Sequence, residues 1–248
     1  MAKVNTILVL IILAIAMILV IGAGCAPEQQ QGQQQNQTQQ QNQTQQQNQT
    51  QQQGQQQPSL LFSDDFQGYN SGTTPTRWQT VAKDGIYAAT KGMSQANGQY
   101  GLVLELKGRL IKTGDANWKD YTIDMNFKIF NAGEHTGPEV MFRVQDDSNY
   151  YLLSTNTQPT GTNYILYKVT NGQPFELKQR ASNKRIDDDK WHALKIDIQG
   201  NEFSLSIDDD NVMQHTFDGT FMTGAMGLSS HPFSDIYFDD VRVMGTTA

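Results

Sequence analysis

The alternation of apolar and polar residues from Trp191 to Ile207, WHALKIDIQGNEFSLSI, leaves this chain few folds to choose from. Read with period two, His192, Leu194, Ile196 and Ile198 share one face, and Ala193, Lys195, Asp197 and Gln199 the other. Beyond Gly200-Asn201, Phe203, Leu205 and Ile207 form a second apolar row against Glu202, Ser204 and Ser206. Such alternation fits half-buried strands and no helix. A Gly-Asn pair tolerates positive φ, so it predicts a two-residue hairpin turn. That loop length sets Gln199 opposite Glu202, Ile198 opposite Phe203, Ile196 opposite Leu205 and Leu194 opposite Ile207. Every apolar residue then meets an apolar partner, as a correct register requires.

The same pattern recurs. Tyr121, Ile123, Met125, Phe127 and Ile129 alternate with Thr122, Asp124, Asn126 and Lys128. Further strands are predicted at Leu102–Leu106, Val140–Val144, Tyr150–Leu153, Tyr164–Val169 and Ile236–Phe238. Asn171-Gly172 predicts a second tight hairpin, and 146–149 a polar loop between two strands. No amphipathic helix of ten residues or more is legible. Many strands with frequent turns predict an antiparallel sandwich or barrel, at this size a jelly roll of a dozen or more strands. Residues 59–248, about 190 in number, make one domain with a sizeable core.

The N-terminal part is different material. Ile7 to Ile21 carries no polar side chain, and Gly22-Ala23-Gly24-Cys25 follows. Two readings stand: an export signal cut before Cys25, the only cysteine, or an uncleaved anchor approaching the roughly 20 apolar residues that span a bilayer. Ala23, Gly24 and Cys25 resemble a prokaryotic lipobox, with Gly22 where that pattern usually has an aliphatic residue. Both readings put the rest of the chain outside the cytoplasmic membrane. Residues 26–58 are mostly Gln, with no core-forming pattern to offset the entropy of ordering them. They predict a disordered tether reaching roughly 30 Å. Three Asn-Gln-Thr sequons at Asn36, Asn42 and Asn48 mark candidate glycosylation sites. The domains are thus 1–25 signal or anchor, 26–58 linker and 59–248 head. A net charge of -7 without a basic cluster does not suit nucleic acid.

The opening LLFSDDF with Trp78 beyond it, EVMFRVQDDSNYYLL, DKWHALKIDIQGNEFSLSIDD and the closing TGAMGLSS…IYFDDVRV follow in a characteristic order. The succession resembles concanavalin A-like (laminin G-like) jelly rolls attached to carbohydrate-active enzymes. It is also similar to 3-keto-disaccharide hydrolase or glycoside hydrolase 16-like domains. The resemblance covers nearly all of residues 60–245. It implies two curved antiparallel sheets and a carbohydrate partner.

Catalysis is a separate question. Retaining glycosidases need two carboxyls about 5 Å apart. The E-x-D-x-x-E run that catalytic family-16 enzymes carry on one strand is missing from this sequence. The acidic strings at 64–65, 146–147, 187–189, 208–210 and 239–240 read mostly as turn residues. His135, His192, His215 and His231 show no metal spacing, and His192 reads as a hydrogen-bonded core or rim residue. Related sugar-binding modules hold a structural calcium where the termini meet. The resemblance therefore makes Asp64, Asp65, Asp239 and Asp240 candidate calcium ligands, completed by backbone carbonyls. Asp240 shares the parity of Ile236 and Phe238, so calcium, a bulge or backbone N–H groups must satisfy an inward carboxylate.

Parity in the 139–154 hairpin marks the candidate ligand surface. Phe142 and Val144 are assigned to the core, and Glu139, Met141, Arg143 and Gln145 to the opposite face. A two- or four-residue loop adds Tyr150, Leu152 and Ser154 to the Arg143 face; a three-residue loop reverses them. Tyrosine rings cover sugar C–H surfaces and a guanidinium donates to hydroxyls, so Arg143, Tyr150, Gln145, Glu139 and, by extension, Tyr167 are the candidate carbohydrate contacts. The expected function is a surface-tethered module that binds carbohydrate without cleaving it. A glycoside or keto-glycoside hydrolase and a structural or adhesion protein are the alternatives.

Overall fold

The computed structural model describes residues 57–80, 86–93, 100–107, 110–130, 137–186, 190–230 and 235–248. Cys25, Asn36, Asn42, Asn48, His135, His231, Asp187, Asp188 and Asp189 lie outside these residues, as do the 1–25 segment and nearly all of the linker. Among the described residues every regular element is a strand: β1 (Ser59–Asp64), β2 (Gln79–Thr80), β3 (Ile86–Met93), β4 (Tyr100–Lys107), β5 (Ile111–Thr113), β6 (Trp118–Phe130), β7 (Pro138–Asp146), β8 (Asn149–Gln158), β9 (Gly161–Thr170), β10 (Gln173–Ser182), β11 (Trp191–Gln199), β12 (Glu202–Ile207), β13 (Asp210–Thr216), β14 (Ala225–Ser230) and β15 (Asp235–Thr247).

They form two antiparallel sheets. One has the order β13-β12-β11-β6-β15-β4-β3, with β1 also on β15; the other runs β10-β9-β8-β7-β14-β5-β2. Strands far apart in sequence lie side by side, as in the expected concanavalin A-like jelly-roll sandwich. The β11–β12 register is the one the alternation predicts, from Gln199↔Glu202 to Leu194↔Ile207. Gly200 alone of the turn pair takes positive φ, at 55°. At Asn171-Gly172 both residues do, at 52° and 74°, closing the β9–β10 hairpin. Asp208 and Asp209 turn the chain in the same way between β12 and β13, so this acidic string is turn chemistry.

The core lies between the sheets. Phe142 of β7 stacks on Phe203 of β12 at 5.3 Å, and Tyr151 of β8 stacks on Phe217 at 4.1 Å. Ile123, Phe127, Leu153, Leu166, Ile196, Leu205 and Phe238 are fully buried around them. Burial of each such side chain contributes roughly 1.5–3 kcal/mol, and that apolar gain joins the sheets. His192 sits at the rim, its Nδ1 2.7 Å from Asp208 Oδ2 and its ring against Phe127.

One parity expectation is overturned. The register of β7 against β8 runs Glu139↔Ser154, Met141↔Leu152 and Phe142↔Tyr151, then slips before Asp146↔Asn149. Arg143 stands inside that bulge at φ 48°. A residue in the left-handed region breaks the two-residue alternation, and the next side chains change sides. Arg143 therefore turns inward and is 0% exposed, while Val144, assigned to the core, packs with Met141 and Ala225 in a separate cluster.

Candidate functional site

The seven-stranded sheet has a face turned away from its partner sheet, and cross-strand pairing lays a continuous row of residues over it. Glu176 (β10) pairs Tyr167 (β9), Tyr167 pairs Leu152 (β8), Leu152 pairs Met141 (β7), and Met141 pairs Gly227 (β14), which pairs Lys112 (β5). A second row runs Ile165, Ser154, Glu139 and Ser229. Their chain neighbours Tyr151, Leu153 and Leu166 belong to the core, so alternation sends these rows outward. Glu139 and Tyr150, read from parity, and Tyr167, added as an extension, lie on this face, and Gln145 lies at its end.

Apolar packing gives the face its floor. Met141, Val144 and Ala225 are buried there, flanked by Leu110, Tyr150 and Leu152. Gly227 makes this possible: a Cβ on it would lie 2.1 Å from Met141 Cε and 2.6 Å from Ile111 O, so only glycine lets Met141 lie across β14. Tyr150, Leu152, Ser154 and Tyr167 are half-buried. Glu139 Oε1 accepts a hydrogen bond from Ser154 Oγ at 3.2 Å. Burial, with the Glu139 and Asp147 carboxylates beside it, pushes the Tyr150 phenol up; burial, with Glu176 and Glu139, does the same to Tyr167. Both phenols therefore stay protonated and able to donate. Lys112 is held at 2.6 Å by Asp147.

Arg143 is not part of this surface. Its Nη1 donates to Phe221 O at 3.0 Å and its Nη2 to Gly200 O, with Asp120 Oδ1 3.9 Å from Nη2. Its backbone N–H donates to Tyr121 Oη at 2.7 Å. It ties the β11–β12 turn and the Phe221 segment to the bulge, which corrects its assignment as an exposed sugar contact. Gln145 remains exposed, its Nε2 donating to Arg143 O and Thr223 O. With Lys112, Thr113, Val144 and Ala225 it lines a cavity of about 280 Å³ at the end of the face.

A larger cavity, about 700 Å³, opens at the seam between the first and last strands. β15 pairs β4 along Ile236–Phe238 and β1 along Val241–Gly245. Between these stretches Asp240 sits at φ 51° in a bulge. The cavity is lined by Asp65, Tyr69, Thr76, Arg77, Asp240 and Arg242, with Asp64 at its base. Asp64 is buried, and its oxygens accept from Phe66 N (3.0 Å), Tyr69 Oη (2.9 Å) and Trp78 Nε1 (3.0 Å). Asp239, not Asp240, is the fully buried member of its pair, and its Oδ1 accepts from Asp240 N at 2.9 Å. The bulge thus corrects the inward parity expected for Asp240. Among the described residues no group of three or more His, Cys, Asp or Glu side chains is arranged to hold a metal ion. Nothing in the sequence pattern singled out Tyr69, Arg77 or Arg242; only the meeting of the termini brings them together.

Comparison with known proteins agrees with this architecture. A family-66 carbohydrate-binding module from Bacillus subtilis superposes with a TM-score of 0.52 at 25% identity, covering 71% of this chain and 98% of the module. Domain 4 of an extracellular GH43 arabinanase from Geobacillus stearothermophilus, in complex with arabinotriose, matches with a TM-score of 0.53 at 15% identity, over 77% of this chain and 95% of that one. A family-16 endo-glucanase from Bacteroides ovatus matches with a TM-score of 0.52 at 13% identity, over 74% and 99%. No curated protein matches the chain by sequence. The fold is that of carbohydrate-binding and glycoside-hydrolase-like jelly rolls. The model of the 3-keto-alpha-glucoside-1,2-lyase-like domain matches residues 31–244, and the chain belongs to that family.

Proposed function

We propose that the protein is a surface-tethered module that binds an extracellular oligo- or polysaccharide on the outer face of its seven-stranded sheet and does not cleave it. The observation that carries the reading is the Glu176–Tyr167–Leu152–Met141 row beside Tyr150, Glu139 and Ser154. It sets half-buried rings and an apolar floor among groups that accept and donate hydrogen bonds, the combination sugar rings need. Glu139 and Glu176 of this face stand three strands and two residues apart, about 16 Å between backbones by sheet geometry, and Asp147 at its end is paired with Lys112. Glycosidase pairs flank one bond at about 5–10 Å. The apolar run 7–21 with Cys25 supports a lipid or helix tether outside the cytoplasmic membrane. Asn36, Asn42 and Asn48 support a glycosylated linker.

A second reading, a lyase or hydrolase of keto-glycosides, is favoured by the family match. One assay separates the two. The full-length protein is screened against neutral polysaccharides and a 3-keto-disaccharide, with binding and product release read in the same samples. Binding without product, weakened by Tyr167→Ala, supports the module. Product release overturns the non-catalytic reading. Silence in both leaves adhesion to a protein as the reading to pursue.

A further inference from the structure

We propose that the cavity at the seam of β1 and β15 is a second carbohydrate site, taking the adjacent hydroxyls of an uncharged sugar ring and not a calcium ion. It rests on the reading of this head as sugar-binding, and it adds a site independent of the outer face. Three observations carry it.

The first is the chemistry of the wall. Asp65 and Asp240 only accept hydrogen bonds, and Arg77 and Arg242 only donate them. Neighbouring hydroxyls of a sugar both donate and accept, so a ring diol can satisfy a carboxylate and a guanidinium together. An anion would meet two carboxylates here, and a cation two guanidiniums. At about 700 Å³ the cavity falls within the roughly 300–1,000 Å³ of small-molecule sites.

The second is that the wall is held in place before any ligand arrives. Buried Asp64 fixes Tyr69 and Trp78 through Oδ2 and the Phe66 backbone N–H through Oδ1. The Arg77 guanidinium lies 4.5 Å from the Phe62 ring centroid and donates through Nη1 to Ser63 O. Asp240 Oδ2 accepts from Asn126 Nδ2 at 3.1 Å, and Asp65 Oδ1 from Gln67 N at 3.1 Å. Each carboxylate thus keeps one oxygen for a ligand. Groups positioned in advance lose less entropy when they bind.

The third is the poor fit to calcium, the ion that related modules imply at this place. Calcium takes six to eight oxygens. Asp64 has committed both oxygens to three donors, and Asp239 is fully buried against the backbone of its neighbour. Arg77 and Arg242 stand in the same wall as the remaining Asp65 and Asp240. Arg242 also lies opposite Asp124 in the β15–β6 register, and its charge acts on that carboxyl.

The test is calorimetric titration of the full-length protein in detergent with arabinotriose, xylotriose and maltotriose, and separately with calcium chloride. At least one sugar is expected to fill two sites per chain. In a Tyr150→Ala/Tyr167→Ala protein one site remains, and adding Asp65→Asn and Arg242→Gln weakens that site at least tenfold. Both added substitutions are at exposed positions, so a melting curve confirms that the fold survives. Calcium is expected to give no saturable heat. A single site lost with the tyrosines overturns the seam proposal and leaves the outer-face reading standing. So does a remaining site that ignores Asp65→Asn and Arg242→Gln. Saturable calcium binding abolished by Asp65→Asn also overturns it. No sugar binding at all overturns both.

Discussion

Replacing Asp64 by Asn tests whether this carboxylate is an internal hydrogen-bond hub or a metal ligand. In the native protein its two oxygens accept from Phe66 N, Tyr69 Oη and Trp78 Nε1 at 2.9–3.0 Å, and the residue is 6% exposed. Asparagine keeps one oxygen and places an NH2 where the other stood, so at least one donor faces a donor. Tyr69 is half-buried and its hydroxyl can turn to solvent, whereas Phe66 N and Trp78 Nε1 lie in the interior. A hydrogen bond to a charged acceptor contributes about 1.5–3 kcal/mol net, and weakening of the retained bonds adds to its loss. The expected cost is about 2–4 kcal/mol, or roughly 5–15 °C in Tm for a domain of this size. Urea unfolding followed by far-ultraviolet circular dichroism reads it as a lower midpoint at unchanged slope. Chelator should leave the difference between native protein and variant intact. A cost under about 1 kcal/mol refutes the hub. So does a native protein that chelator brings down to the variant's stability, because Asp64 would then be holding a metal.

Three other outcomes follow from the same geometry. Gly227→Ala puts a methyl 2.1 Å from Met141 Cε and 2.6 Å from Ile111 O; it should cost about 1–3 kcal/mol by overpacking and lower sugar affinity by displacing Met141, read by melting and titration together. Tyr167→Ala should leave the melting temperature within a few degrees, because the ring is half-buried on an outer face, yet weaken carbohydrate binding about tenfold or more; equal binding would exclude that face. Burial above all pushes the Tyr151 and Tyr164 phenols up to about 12. The fold then favours their protonated form, so their contribution is whole below pH 10 and is lost as pH rises from 10 through 12; phenolate absorbance and circular dichroism should change together in that window.

Strand pattern was legible where alternation was unbroken. Leu194, Ile196 and Ile198 against Phe203, Leu205 and Ile207 leave one register that buries every apolar side chain, and the structure has that register. The same logic placed Glu139, Met141, Leu152 and Ser154 on one face, because a slip of two residues preserves parity. It failed at Arg143, Val144 and Asp240, where left-handed residues inside bulges change the side on which a side chain emerges. Alternation counts residues and carries no signal for a bulge, which is stabilised by contacts from elsewhere: Phe221 and Gly200 for Arg143, and Asn126 for Asp240.

The amino-acid sequence by itself determined an all-β head with tight turns at Gly200-Asn201 and Asn171-Gly172, because period-two burial and turn chemistry are local properties. It also determined that this head follows an apolar segment and a Gln-rich stretch, which are matters of composition. Only the tertiary structure decided which residues share a surface. Glu176, Tyr167, Leu152 and Met141 come from four strands and form a row through three pairings. Asp65, Arg77 and Arg242 meet because β1 takes up the edge of β15 that β4 leaves. Sites of this kind are set by sheet order and bulges, whose energy lies in long-range packing and hydrogen bonds that no single stretch of sequence contains.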